Sequence, residues 1–488
     1  MSGLNFSQIP VTVLTPGVFV EFDTSRMLNG LPVPKTRTLI TGQKLASGTM
    51  AANTLTRCVS ANQGKQLAGQ GSQLADMIDG YFKNDTTTDV FIVGLADNGA
   101  GVAQTYTITA AGTATAAGVL DLMIQDQRVQ VAAPSGMTAA QAATALNAAI
   151  ALYPDLCYTA GVSGAVVTLT CRHKGADTAI TIIQNYHSED AAVPGLVLTI
   201  AAGTAGTTNP DATAVFTAIG DAPFAAIVHP WTDATNLSAI ETACKARADA
   251  MMMNYSEAYT FKADTYGNLI TLASGRNSEF QPIAGMYGSP TPPWKLAAMV
   301  AARVVWWSRN NLGCPFTGQV LQGALPPRVA DRFDRTEREL LLEAGLSTLK
   351  LDATGAVVIE RMVTTRKTNA QGFADAGLRS LNAILLLYYL SWSLQARITA
   401  RFPAYKLGAD GGNYGPDARV VTPKQIKGEH IALATDWAQA GLIENLDDYI
   451  ASIDVQRDRT NVDRVNSIQR PDLINEFNVL AALVQPIA

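Results

Sequence analysis

Apolar residues fall in short blocks along the 488-residue chain, and the spacing inside each block predicts which element it forms. The run "RTLITG" from residue 37 reads as a strand. It is followed by "SANQGKQLAGQGSQLADMIDGYFKN", helical material broken near Gly69 to Gly71. Ser72 stands as N-cap of the second part, where Leu74, Met77, Ile78 and Phe82 share one face. "DVFIVGL", residues 89–95, reads as a buried strand. The same rhythm returns at Asn209-Pro210: "PFAAIVHP" as a strand, 236–250 as a helix, then "AYTFKAD" and "PIAGMY" as strands. Residues 293–309 form a helix with Pro293 in its first turn. Strands alternating with helices imply a mixed, largely parallel sheet covered on both faces. The expectation is an α/β core built from residues 38–96 and 209–325.

Between residues 97 and 208 the pattern changes. This stretch is rich in Thr, Ala, Gly and Val and nearly free of Lys and Arg. Segments such as "QTYTITAAG", "VLDLMIQDQRVQVAA" and "GAVVTLTCRHKG" alternate as strands do, between glycine-rich turns. One Ala-rich helix, roughly Thr138 to Leu152, interrupts them. Residues 97–208 therefore read as a small β-rich domain inserted into the core, either an outer decoration or an element of lateral packing.

Residues 326–488 read as an α+β C-terminal domain with an extended arm. A helix is expected at 335–344, a strand pair at "STLKLD" and "AVVIERMVTTR", a long helix over roughly 373–401, and mainly extended chain from 425. Residues 1–37 form the N-terminal arm. Pro10, Pro16, Pro32 and Pro34 exclude a helix there, and Val18, Val20 and Phe22 alternate with Phe19 and Glu21 as in a single strand. So short an arm has no core of its own and must dock elsewhere. Near the other end, "ASIDVQRDRTNVDRVNSIQR" starts as a strand, with Ile453 and Val455 on one face. Arg457 and Arg459 then take over that face, while Asp454, Gln456 and Asp458 hold the other. Neither face can be buried cheaply within one chain.

Composition narrows the function. Charged residues are 16% and hydrophobic residues 48%, with a net charge of -5. The Lys and Arg are scattered, which argues against nucleic acid as a main partner, since phosphate contact needs a concentrated basic surface. The five cysteines, 58, 157, 171, 244 and 314, contain no CxxC pair and read as reduced core thiols of a protein assembled in a cytoplasm. No basic and apolar leader opens the chain, and the most apolar run, "LNAILLLYYLSWSL", is too short to span a bilayer, so no membrane insertion is expected.

Candidate chemistry is sparse. His173, His187, His229 and His430 show no pairing with a nucleophile. "GVSGA" (161–165) falls one residue short of a nucleophile elbow and reads as a turn. In "GKQLAGQGS" (64–72) Lys65 precedes the glycines, the wrong order for a phosphate loop. Cys157, Cys171 and His173 lack a fourth metal ligand. The tryptophan pair 306–307 and the Tyr388, Tyr389, Trp392 group sit in strongly apolar helices and read as core. Arg361 and Arg366 in "ERMVTTR" read as a solvated edge or a contact with a neighbouring subunit. Neither catalysis, a cofactor nor a metal is expected. A large chain of this kind with extended ends points to a structural role.

Several stretches resemble contractile phage tail sheath proteins. "TPGVFVEFDTSR" followed by "RTLITGQ" is similar to the opening of such proteins, and "LAGQGSQLADMIDGYF" to an early core motif. "MVTTR" (362–366) is similar to a strand of sheath C-terminal domains. The end, "NVDRVNSIQRPDLINEFNVLAALVQ", resembles the Mu-like branch, as does the Thr/Ala-rich insertion. The resemblance implies a subunit that stacks as hexameric rings in a helical array around a tail tube, with baseplate and tail terminator proteins as further partners. It implies assembly in the host cytoplasm, residence in the virion tail, and a contraction that drives the tube through the host envelope. It also implies arms that add strands to neighbours. Residues 453–468 would then be one strand of an intermolecular sheet joined by residues 17–23, with Val18, Phe19, Val20, Phe22, Ile453, Val455, Arg457, Arg459, Val462 and Arg464 at the interface. The alternative for the charges is protection of a free edge. Arg332 and Arg335, in "RVADRFDRTERE", are candidates for contacts exchanged between bodies. The other readings open at this point are a sheath of another contractile injection system, a non-contractile assembly protein and an α/β hydrolase.

Overall fold

The structure, a computed structural model, describes residues 31, 34–369, 371–375, 377–415 and 418–485. The arm residues Val18, Phe19, Val20 and Phe22 lie outside the described residues. The chain divides into two compact units, one built from residues 35–390 with the segment from 473 on, the other from residues 391–472.

The first unit begins with strands β1 (Arg37–Gln43) and β2 (Leu55–Cys58), helices α1 (Ala61–Ala68) and α2 (Gln73–Phe82), and strand β3 (Asp89–Leu95). Helix α2 starts where the sequence predicts, the Ser72 hydroxyl accepting from the Ala75 amide at 3.1 Å. Gly69 and Gly71 break the two helices with φ of 92° and 78°, conformations glycine adopts without strain. Lys65 does not approach a phosphate-like cradle; it pairs with Asp155 at 2.8 Å.

The stretch 97–208 contributes strands β4 (Ala103–Gly112), β5 (Gly118–Ile124) and β6 (Gln127–Ala133), helix α3 (Ala139–Ala151), and strands β7 (Tyr158–Ser163), β8 (Val166–Lys174), β9 (Ile182–Gln184) and β10 (Leu196–Ala202). They form two sheets, ordered β10-β4-β8-β7 and β6-β5-β9. "GVSGA" makes the β7–β8 hairpin turn, with Gly164 at φ 59°. A capping box between Thr138 and Gln141 starts α3.

The chain then returns to the first sheet through α4 (Thr213–Ile219), β11 (Ala226–Val228), α5 (Ala234–Arg247), β12 (Glu257–Lys262), α6 (Tyr266–Ser274), β13 (Ile283–Gly285) and α7 (Pro293–Asn310). Helix α8 (Arg335–Ala344) and strands β14 (Ser347–Leu351) and β15 (Val357–Arg361) follow. The eight-stranded sheet runs β15-β14-β13-β12-β11-β1-β3-β2. Its inner neighbours are parallel, and antiparallel pairs close both edges, β15 on β14 and β2 on β3. Adjacent residues point into opposite cores: Ile40 and Val228 join Met77 and Val304 on one face, while Leu39 and Ile227 join Val215 and Ile240 on the other. This is why the inner strands are buried on both faces instead of alternating between buried and exposed.

Strands β14 and β15, assigned above to the C-terminal domain, extend the core sheet, because β14 pairs in parallel with β13. The "MVTTR" motif continues from β15 and ties the α6–β13 loop to the loop that follows the motif: the Thr365 hydroxyl donates to Ser278 O at 3.2 Å, and Arg366 pairs with Glu279 at 2.8 Å and Asp375 at 3.2 Å. Arg366 is thus neither a solvated edge nor a free contact group. Helix α9 (Leu381–Arg401) crosses the division between the units. Among the described residues no helix is long and apolar enough to cross a membrane.

Candidate subunit interface

The second unit contains β16 (Lys406–Leu407), β17 (Val420–Val421), α10 (Pro423–Gln439), β18 (Ile443–Glu444), α11 (Leu446–Ser452), β19 (Asp454–Arg457) and β20 (Val465–Ile468). The chain from 425 is therefore not mainly extended. Thr422 and Gln425 form a capping box with Pro423 in the first turn, and His430, Leu433, Ala434 and Trp437 recur at helical spacing on the buried side.

Residues 453–468 are not one strand either. β19 and β20 form an antiparallel hairpin with Asp454 opposite Ile468 and Arg457 opposite Val465. The turn is made by side chains. Asp458 accepts from the amides of Thr460 at 2.8 Å and Asn461 at 2.9 Å and from Asn466 Nδ2 at 2.8 Å. The Asn461 amide first, then Asn466 and the Thr460 amide, hold the Asp458 carboxyl down to about 2. Arg457 Nε donates to Val462 O at 2.6 Å, closing the loop from the other side.

The hairpin is seated by polar contacts within its unit. Gln469 accepts from the Tyr449 hydroxyl at 2.5 Å and donates to His430 Nδ1 at 2.5 Å. Burial lowers the His430 pKa, consistent with a neutral ring that accepts at Nδ1. Ile453 is only 1% exposed, because it closes α11 and packs inward. It is thus removed from the candidate interface. Val455 is half-buried, whereas Arg457, Arg459, Val462 and Arg464 are exposed. Among the described residues, β19 and β20 pair only with each other, so each has one open edge.

A second feature, absent from the sequence expectations, lies in the first unit. From residue 474 to 485 the chain carries no regular structure. Glu476 accepts from the Ser380 hydroxyl at 2.6 Å and its side chain is 13% exposed. Beyond it, Phe477 is 76% exposed, Val479 81%, Leu480 77%, Leu483 84% and Val484 83%. This burial is inverted: the acid is covered and the apolar residues face water. The cue in the sequence was the apolar run "NVLAALV", which no local partner satisfies.

Arg332 and Arg335 are both exposed. Arg332 Nε donates to Pro327 O at 3.1 Å, and Arg335 opens α8 directly after its N-cap Asp334, within the Asp334–Glu337 capping box. His173 is engaged inside its unit, with Asp97 at Nδ1 and the Gln73 amide at Nε2, and Cys171 and Cys157 are buried. Among the described residues, no group of three His, Cys, Asp or Glu is placed to hold a metal.

The chain matches the phage tail sheath protein central domain over residues 205–365 and the phage tail sheath C-terminal domain over residues 374–486. Over 483 residues it is 32% identical to the Mu-like prophage FluMu tail sheath protein of Haemophilus influenzae, covering 99% of each chain. The chain belongs to the phage tail sheath family. It is a homologue of a Mu-like phage tail sheath, and the family consists of structural components of the virion tail. Among solved structures it is similar to the sheath tail protein of Desulfitobacterium hafniense, at 12% identity and a TM-score of 0.49 over 94% of this chain and 100% of that one. The sheath tail protein Lin1278 of Listeria innocua matches at 14% identity and a TM-score of 0.49, over 90% and 92%.

Proposed function

We propose that this sheath subunit polymerises as six-membered rings stacked around a tail tube, and that its ends are the joints of the lattice. The inverted burial beyond Glu476 carries this reading. Five large apolar side chains held in water are costly to an isolated chain and useful to one that meets a second copy. The open edges of the 454–468 hairpin supply main-chain partners for an added strand, and the exposed Arg457, Arg459, Val462 and Arg464 line its approach. Roughly six added backbone hydrogen bonds at about 0.5–1.5 kcal/mol each give several kcal/mol per joint. Such joints keep copies attached while their bodies move, which a contracting sheath requires.

On this reading the sheath's further partners are the tail tube, the baseplate and the tail terminator, with assembly in the host cytoplasm. The body carries no step of chemistry, and contraction is a rearrangement from a metastable extended lattice. Arg332 and Arg335 are the candidate groups exchanged between bodies. Residues 1–24 act as the second arm. Electron microscopy of purified protein tests the proposal: the full chain forms striated hollow tubes, and a chain lacking residues 1–24 stays folded and does not polymerise. Normal tubes from the shortened chain would overturn the linkage.

A further inference from the structure

The stretch 97–208 is joined to the α/β body by buried charge, and the joint has a centre. Lys295, in the first turn of α7, is 3% exposed in its side chain and reaches three carboxylates: Asp76 at 2.7 Å, Asp79 at 3.1 Å and Asp126 at 2.7 Å. Asp76 and Asp79 lie on α2 of the body, whereas Asp126 sits in the β5–β6 turn of the insertion. Trp294 Nε1 donates to the far oxygen of Asp76 at 2.8 Å, and Lys83 pairs with Asp79 at 2.8 Å. Burial works to raise all three carboxyls and prevails at Asp76; at Asp126 the Lys295 ammonium, and at Asp79 Lys295 together with Lys83, outweigh it and hold them low. Burial works against the charge on Lys295, but the three carboxylates reverse that and raise its pKa well above the ordinary value.

Two further contacts make the joint broad. Asp177 of the insertion accepts from the Thr232 amide at 2.8 Å and from Asn209 Nδ2 at 2.7 Å. A Cβ on Gly71 would come within 2.8 Å of Pro154 O and 2.9 Å of Leu156 O, so the insertion's backbone lies directly against the α1–α2 break. Apolar packing is also continuous, since Leu122, Val129 and Leu146 share one cluster with Met77, Trp294 and Val300. A hinge at this junction would have to strip Lys295 of a buried partner, which is strongly unfavourable.

We infer that Lys295 is the positioning residue that fixes the insertion on the sheath body, so that residues 97–208 move with the body as one rigid piece. The insertion is then a fixed projection that any rotation of the body sweeps along, not a tethered decoration. This inference does not depend on how the arms link neighbouring copies.

Hydrogen exchange on the full chain, read by segment, tests it. In the wild-type protein, residues 118–133 and 153–158 should exchange in the same slow class as β1 and β3, and the insertion should show no separate melting step. Asp126→Ala removes the insertion's charge from the joint while leaving Lys295 with Asp76 and Asp79. Exchange at 118–133 and 153–158 should then accelerate by about 10- to 100-fold, the range for loss of a charged hydrogen bond, with β1 and β3 unchanged. Gln127→Ala, which loses only a neighbouring contact to Asp126 and spares the Lys295 pair, should leave exchange unaltered. Lys295→Met should give a larger effect at the same segments; if that variant does not fold, Asp126→Ala decides. An insertion that exchanges fast or melts alone in the wild type, or an Asp126→Ala variant indistinguishable from it, would overturn the inference.

Discussion

Removing residues 477–488 takes away five large apolar side chains that the isolated subunit scarcely uses. Phe477, Val479, Leu480, Leu483 and Val484 keep 76% to 84% of their surface in water, so their loss should cost the fold no more than other surface changes, about 0.5 kcal/mol each at most. Glu476 and its contact with Ser380 remain, so the base of the segment stays fixed. The effect on assembly is of another size. Full burial of five such side chains gains about 7–15 kcal/mol before ordering is counted. Fixing the backbone of residues 477–484, at about 1–2 kcal/mol each, offsets most of that, and strand hydrogen bonds return several kcal/mol. A net loss of about 3 kcal/mol per joint raises the concentration needed for polymerisation by roughly 100-fold. The measurement pairs a thermal melt of dilute subunit with sedimentation and negative-stain microscopy over a concentration series. An unchanged melt with tubes lost at wild-type concentrations is expected. Tubes at the wild-type threshold would sink the argument. So would a melt lowered by many degrees, which would make the segment part of the subunit's own core.

Other outcomes follow from single side chains. Glu257 is fully buried, accepts from the Tyr388 hydroxyl at 2.9 Å, and burial raises its carboxyl well above the ordinary range. A raised folded-state value means stability is complete below about pH 4, where the unfolded carboxyl is also protonated, and declines as pH rises toward that value. Glu257→Gln should therefore melt above wild type at pH 8 and level with it near pH 4; a variant that melts lower at pH 8 would contradict this. Asp458 shows the opposite sign: held down to about 2, its turn contacts persist above the ordinary carboxylate range and are lost as pH falls through 2. Asp458→Ala should speed amide exchange across 454–468 without moving the global melt, and unchanged exchange would show that the turn does not depend on it. Reversing both Arg332 and Arg335 should leave the melt within about 0.5 kcal/mol, since both are exposed, yet alter the salt dependence of polymerisation. An unaltered salt response would remove them as contacts between bodies.

What the sequence discloses and what it hides have physical causes. Local signals were readable: the Ser72 cap, the proline opening α7, the helix at 335–344 and the compositional step near residue 97 all act within one turn or one strand. The misreadings came from places where side chains replace the usual punctuation. The 458–464 turn contains no glycine and is folded by the Asp458 carboxylate, so a hairpin looked like one strand. Helix α10 reads as extended in the sequence because Lys424, Lys427 and Glu429 dilute its apolar face, although its capping box is present in the letters. The Lys295 joint could not be read at all. Asp126 is 169 positions away from Lys295, and only the fold brings opposite charges so separated together. The inverted burial at the C-terminus lay in between: an apolar run was visible, but not that the acid before it would be the covered residue.

These two kinds of feature, buried charge in the body and bare apolar chain at the end, are complementary. A subunit that must move without coming apart cannot afford soft joints inside itself, because displacement would then be absorbed by internal bending instead of being passed to the next copy. Burying charges whose separation is heavily penalised makes the body stiff. On the proposed reading the attachment between copies has the reverse requirement: it must survive large rotations, and extended segments held by backbone hydrogen bonds and a few apolar anchors would tolerate rotation at their roots. On that reading, stiffness where Lys295 sits and compliance beyond Glu476 are needed together. A variant that loosens the first should impair the transmission of motion even while its tubes still assemble.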